Sequence, residues 1–300
     1  MTNLISRLIA GSAVFAFTIP ASAFAEVSAL QVWDSWRSYA ESMGQTISVG
    51  SQEVIGDALI LRNVTTAMEF PEGSASGTLA FLEFRERGDG TVAVTMAPDF
   101  PFSVSIDPGD GESADLAFIV RQSGSSIIAS SNDGDISFDY LASQISFELD
   151  ALVVDGQDID AAIRFSIEGI DGQYALTAGE DRTYSSHLAA ESARFDVSFT
   201  DPDDGGKLDM SGLFEDLRST SNVAITDGFD PKNQAAMFGG GLNVQSAFST
   251  GSSAYDINLD NGPESFALTP SSAGRSLELS ILAGTIHYAR AVPAFSCAVR

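Results

Sequence analysis

Cysteine, lysine and histidine are almost missing from this chain. Of 300 residues one is cysteine (Cys297), two are histidine (His187 and His287) and two are lysine (Lys207 and Lys232). A lone cysteine permits no intramolecular disulfide, so an apolar core has to hold the fold. Neither histidine stands at a metal-ligand spacing. His187, in "YSSHLAAE" with Ser185 and Ser186 nearby, lacks the G-x-S-x-G elbow that would make a serine nucleophilic. Two lysines leave little for Schiff-base or phosphate chemistry. No P-loop is present and no G-x-G-x-x-G follows a strand, so "FGGGLN" from Phe238 is expected to be a turn.

Positive charge is also scarce. Fifteen Lys and Arg stand against 41 Asp and Glu, a net charge of −26. That sign excludes nucleic acid, whose phosphates need cations to displace their counterions. It also works against adsorption on anionic lipid surfaces, which attract basic segments. Self-repulsion that keeps the chain soluble is the expected effect.

Long apolar runs are confined to the first 25 residues. Arg7 supplies a small basic n-region, "LIAGSAVFAFTIP" an apolar h-region, and "ASAFA" small residues ending at Ala23 or Ala25. This pattern predicts a cleavable secretory signal over 1–25 and a periplasmic location. The apolar run is too short to cross about 30 Å of hydrocarbon. No transmembrane segment is expected after it.

What the chain does have is turns. Asp-Gly recurs at Asp89, Asp110, Asp133 and Asp155, separated by 21, 23 and 22 residues, and again at Asp171, Asp204 and Asp227. Asp-Gly tolerates positive φ and suits hairpin turns. Each interval is expected to hold two strands of about nine residues and a second connection. Between the turns the alternation is regular. Ile145, Phe147 and Leu149 share one face, as do Ile163, Phe165 and Ile167, then Phe195, Val197 and Phe199, then Tyr255, Ile257 and Leu259, then Leu277, Leu279 and Ile281. Period two with one polar face is the mark of an antiparallel sheet wet on one side. The fold class expected is mainly β: a large antiparallel meander, curled or folded on itself, in one elongated domain over 26–288.

One helix is expected, over 28–43. Ser28 and Gln31 fit a capping box, Val27 and Val32 a hydrophobic staple, and Gly44 a C-terminal stop. Leu30, Trp33, Trp36, Ala40 and Met43 fall at helical spacing, with Tyr39 beside them. This aromatic face is expected to cover one end of the β core. Trp33, Trp36, Tyr39 and Met43 are also the candidate partner or lid surface.

The acidic turns raise calcium as a ligand, since "NDGDISFD" brings together Asp133, Asp135 and Asp139, and "DPDDGG" brings together Asp201, Asp203 and Asp204. Neither follows the twelve-residue EF-hand pattern, and solvated turns are expected, with no cofactor or metal.

The segments "VWDSWRSYAESMG", "GDALILRNVTTAMEF", "HLAAESARFDVSFTDPDDGG" and "GSSAYDINL" resemble an exported, chiefly alphaproteobacterial family, domain-of-unknown-function family 2125. The resemblance runs from the signal to about Tyr288. It implies an envelope protein with an elongated β-sheet and carries no active-site residues. Family members continue with further strands, whereas "ARAVPAFSCAVR" has no acid. Residues 289–300 are therefore expected to be an atypical, disordered tail of a truncated chain. The function expected is a non-enzymatic β-sheet scaffold sheltering an apolar ligand such as lipid or docking an envelope partner. The alternatives are a structural β-sandwich with a dry core, and a hydrolase with carboxylate or serine chemistry.

Overall fold

The computed structural model describes residues 26–107, 109, 111–132, 134–177, 182–201, 205–225, 242–261, 264–282, 285–291 and 295–299. The signal region, the "FGGG" turn, Asp133 and 202–204 therefore lie outside the described residues. One helix, α1 (Ala29–Ser42), precedes eighteen strand segments. They are β1 (Gln45–Ile55), β2 (Ala58–Phe70), β3 (Gly73–Glu86), β4 (Val92–Met96), β5 (Asp99–Ile106) and β6 (Ala114–Ser123). Next come β7 (Ser126–Asn132), β8 (Asp135–Val154), β9 (Gln157–Asp158), β10 (Ala161–Thr177), β11 (Arg182–Thr200) and β12 (Lys207–Ile225). The last six are β13 (Leu242–Thr250), β14 (Ser253–Asn261), β15 (Glu264–Ser272), β16 (Arg275–Leu282), β17 (Thr285–Ala291) and β18 (Phe295–Val299).

All segments belong to one antiparallel sheet, and the pairings arrange them as a meander of twelve rows, six of one segment and six of two. β4 and β5 share a row, both pairing with β3. β6 and β7 share the next row and β8 covers both. After β10, β11 and β12 come the rows β13–β14, β16–β15 and β17–β18. Each interval between the first four Asp-Gly turns thus holds one long row, not two short strands with a second turn, and Asp171–Gly172, expected as a further turn, lies inside β10 and pairs on both sides. What looked like room for a connection is a break within a row. The tail is corrected as well: β17 continues through Ala291, and β18 pairs with β15. An edge strand presents unpaired N–H and C=O groups that a further extended segment can satisfy.

The breaks align into a crease across the sheet. Gly50 lies beside Asn63, Gly124 beside Ser143, Gly169 beside Glu191 and Gly251 beside Asp216. Asn63, Gly124, Gly169 and Asp216 all have φ between 50° and 62°. The set of residues facing inward changes parity there. In β10 the more buried positions are Ile163, Phe165 and Ile167 on one side of Gly169, and Ile170, Gly172, Tyr174 and Leu176 on the other. In most rows the extra residue is carried by both partners, so the pairing register is the same on both sides; the β4–β5 row is the exception, with its register against β3 shifted by one residue. Bulges of this kind bend strands and increase twist.

The sheet curls around α1. The helix touches β1, β2 and β3 on one side, and on the other Tyr39 stacks on Tyr184 of β11, with ring centroids 5.2 Å apart. In a flat sheet the seven steps from β1 to β11 would span about 34 Å. A helix with its side chains is only about 10–12 Å across. The eight rows must therefore bend back toward each other, with the helix lying in the seam. Among the described residues β1 hydrogen-bonds to β2 alone, so the curl is not a closed barrel. The core sits inside it, where Val32 and Trp33 meet Leu61, Phe84, Val92 and Phe138.

Candidate functional site: an apolar cavity beneath Trp36

The helix begins where its sequence signals place it. Ser28 Oγ accepts from the Gln31 N–H at 3.2 Å while the Ser28 N–H donates to Gln31 Oε1 at 2.8 Å, completing the capping box. The end is pinned to the β3–β4 turn by two further bonds. The Val27 N–H donates to the Gly90 carbonyl at 3.3 Å, and the Ala29 N–H to Glu86 Oε1 at 2.9 Å. Val27 and Val32 are both buried. At the other end the Met43 N–H bonds to the Tyr39 and Ala40 carbonyls, and Gly44 turns out with φ 82°. These constraints set the rotation of the aromatic face.

The four aromatic-face residues divide by role. Trp33 is core, 3% exposed, with its ring 5.9 Å from that of Phe84. Trp36 is half-buried and meets Phe84 edge-on at 5.9 Å and Phe138 at 6.2 Å. Tyr39 bridges to β11, and burial, with the neighbouring Tyr184 adding to it, pushes its phenol above the ordinary tyrosine range. Met43 caps the helix.

Below Trp36, on the concave face of the curl, is a cavity of about 590 Å³. Its ceiling is Trp36, and its walls come from β2 through β11, with Leu79, Phe102, Val120, Phe147 and Leu188 among them. The polar groups in the wall are few. Gln122 spends its side-chain amide on the Ala97 carbonyl at 3.0 Å, and Thr66 stands with Tyr140 and Tyr174. Burial raises the phenols of Tyr140 and Tyr174, most strongly that of Tyr174, to which Tyr184 and Tyr140 also contribute. The wall is therefore apolar and uncharged. It spans the crease, since Leu79 and Phe147 lie on one side of the break and Tyr140 and Leu188 on the other.

One of the apolar faces read from the sequence reaches this cavity. Ile145 and Phe147 are cavity wall, and Phe147 meets Phe165 at 6.1 Å. The helix-to-cavity relation had no sequence signal, because β2 and β11 are far apart in the chain and meet only through the curl.

Away from the hairpin tips, the strand acids among the described residues face outward. Glu148 is bridged by Arg121 and Arg164, whose hydrogen bonds hold its carboxyl below the usual range. His187 and His287 are both exposed on strands. Among the described residues no group of three or more His, Cys, Asp or Glu is placed to hold a metal ion. No described helix is long and apolar enough to cross a membrane.

No family model matches this chain, and neither the curated proteins nor the solved structures contain a match to it.

Proposed function

We propose that this protein is an exported, non-enzymatic β-sheet scaffold that shelters an apolar ligand such as lipid inside its curled sheet. The observation that carries this is the cavity beneath Trp36. Its volume of about 590 Å³ falls within the range of roughly 300–1,000 Å³ usual for ligand sites. Such sites are mostly apolar with few polar groups, and this wall has that character. Uncharged walls favour burial of hydrocarbon at roughly 25 cal/mol per Å² removed from water. They offer no group placed for acid–base or nucleophilic work. Export and a periplasmic location are supported by the n-region, h-region and small-residue pattern of 1–25. The resemblance to an exported envelope family points the same way.

Native mass spectrometry of the protein isolated from an envelope fraction tests the proposal. The expected result is a population carrying lipid-sized adducts that organic extraction removes. Leu188→Trp, which fills part of the cavity, should lower that population. A clean ligand-free mass, together with no binding of long-chain hydrocarbon probes by the extracted protein, would overturn the proposal.

A further inference from the structure

Away from the hairpin tips, where Glu86 and Glu264 stand, the inner face of the sheet carries almost no charge among the described residues, and what it carries is positive. Cross-strand partners in an antiparallel sheet point to the same side. The cavity wall can thus be followed outward from Leu188 to Ser219, then Phe248, Leu277 and Arg290. At the crease in the same rows, Arg275 pairs with Thr250. Its guanidinium lies 5.2 Å over the Tyr255 ring and donates to Tyr255 Oη at 2.8 Å. Tyr255 itself packs on the inward rings of Phe195 and Phe214. Away from the hairpin tips, Arg275 and Arg290 are the charged residues of this face among the described residues. The acids of these rows, such as Asp256 and Glu278, stand at alternate positions and face outward.

Arg275 is not neutralised. Among the described residues it has no carboxylate partner, and its Nε is buried without a hydrogen bond. Beside it on the same face, the Thr250 and Ser253 hydroxyls are also buried without partners, at 7% and 2% residue exposure. Buried polar groups are normally satisfied, and an exception calls for an explanation. Here a guanidinium and two hydroxyls, all able to donate, lie on one face of the sheet at the crease.

We infer that Arg275, with Thr250, Ser253 and Tyr255, is the anchor for an anionic oxyacid head, a carboxylate or phosphate, on an amphiphile whose tail occupies the cavity. The inference rests on the apolar-ligand function proposed above. A guanidinium presents paired donors that match such oxyanions. β11, which walls the cavity, and β16, which carries Arg275, are three rows apart, about 14 Å, a span that an alkyl chain bridges. Among the described residues the strand acids stand on the outer face and near the hairpin tips, where they repel an anionic bilayer. A cationic seat on the inner face instead favours single anionic amphiphiles taken one at a time.

The test uses the delipidated full chain and four probes: hexadecanoate, hexadecyl phosphate, hexadecanol and inorganic phosphate. The unaltered protein should bind both anionic amphiphiles at least about tenfold more tightly than the alcohol, and inorganic phosphate only weakly. Arg275→Gln should bring both anions down to the level of the alcohol, whose affinity should not change, and Arg275→Lys should restore part of the difference. Equal binding of hexadecanoate and hexadecanol would overturn the anchor and leave the cavity function standing. Tight inorganic phosphate without a preference for hexadecanoate would also overturn it. Failure of every alkyl probe would overturn both. The comparison in the unaltered protein decides the matter even where a variant fails to fold.

Discussion

Trp33 and Trp36 are three residues apart on one helix, yet their truncation should have unequal consequences. Trp33 is 3% exposed and enclosed by core side chains. Trp33→Ala removes a whole indole from a packed site, and such changes cost about 3–5 kcal/mol. Trp36 has neighbours on the side of Phe84 and Phe138, but its other side borders a cavity of about 590 Å³. An atom facing a void has no dispersion partner there, so Trp36→Ala should cost roughly half as much, about 1.5–2.5 kcal/mol. Trp33→Phe should be milder than either. It keeps a ring in place and deletes the Nε1–H, which is buried without a partner. The assay is urea unfolding followed by far-ultraviolet circular dichroism on delipidated protein, because a ligand that binds only the folded state would add its own stabilisation. In melting temperature, at about 2–4 °C per kcal/mol for a chain of this size, Trp33→Ala should lose about 6–20 °C. A loss for Trp36→Ala equal to or greater than that for Trp33→Ala would refute the division between core and cavity ceiling. So would a Trp33→Ala loss below about 1 kcal/mol.

The crease and the buried phenols supply two more predictions. A Cβ on Gly169, at φ 62°, would lie 2.4 Å from Glu191 Cγ, whereas one on Gly156, at φ 77°, would meet nothing within 4 Å. Gly156→Ala should therefore cost only the left-handed strain of about 1–2 kcal/mol, and Gly169→Ala measurably more; equal losses in urea midpoint would show that crease packing is not tight. Tyr39, Tyr140 and Tyr174 have phenols raised chiefly by burial. The unfolded chain loses these protons near pH 10 while the fold still holds them. Their stabilisation is thus complete below about pH 10 and declines as pH rises further, through the raised folded values. Urea midpoints should fall between about pH 9 and pH 11, and less so in Tyr174→Phe; an unchanged fall in that variant would rule out Tyr174 as a contributor.

Much of the architecture was legible in short-range pattern. Helix α1 is fully announced, because Ser28, Gln31, Val27, Val32 and Gly44 act within one turn of the residues they constrain. The Asp-Gly turns at Asp89 and Asp155 fall between successive rows, and the alternation of Ile163, Phe165 and Ile167 identified the inward face. The break at Gly169 was missed. A single shift of parity inside a long alternating run resembles the end of one strand and the start of another. Nothing local tells a bulge from a turn when glycine serves both. The tail was misjudged for a related reason. Its composition differs from the rest of the chain, but pairing depends on the neighbouring strand, and β15 provides an edge for β18.

The site was legible only in part. Trp36 stood out as an aromatic on the one helix, but its place as a cavity ceiling depends on Val64, Phe102, Phe147 and Leu188 reaching the same space. Arg275 had no signal in sequence at all. Its isolation is a matter of which face it occupies and of the absence of an acid beside it among the described residues, and both are set by cross-strand register.

By itself the sequence determined the predominant element type, the facing of five regularly alternating strand stretches, the helix with its caps, and the predominance of negative charge. These follow from side-chain periodicity, turn chemistry and composition, which act over a few residues. The tertiary structure decided how far the sheet curls, where the helix lies in the seam, and that the curl encloses an apolar cavity three rows from an arginine with no carboxylate partner among the described residues. Those outcomes come from twists and bends accumulated over twelve rows, a sum of small angles that no short stretch of sequence encodes.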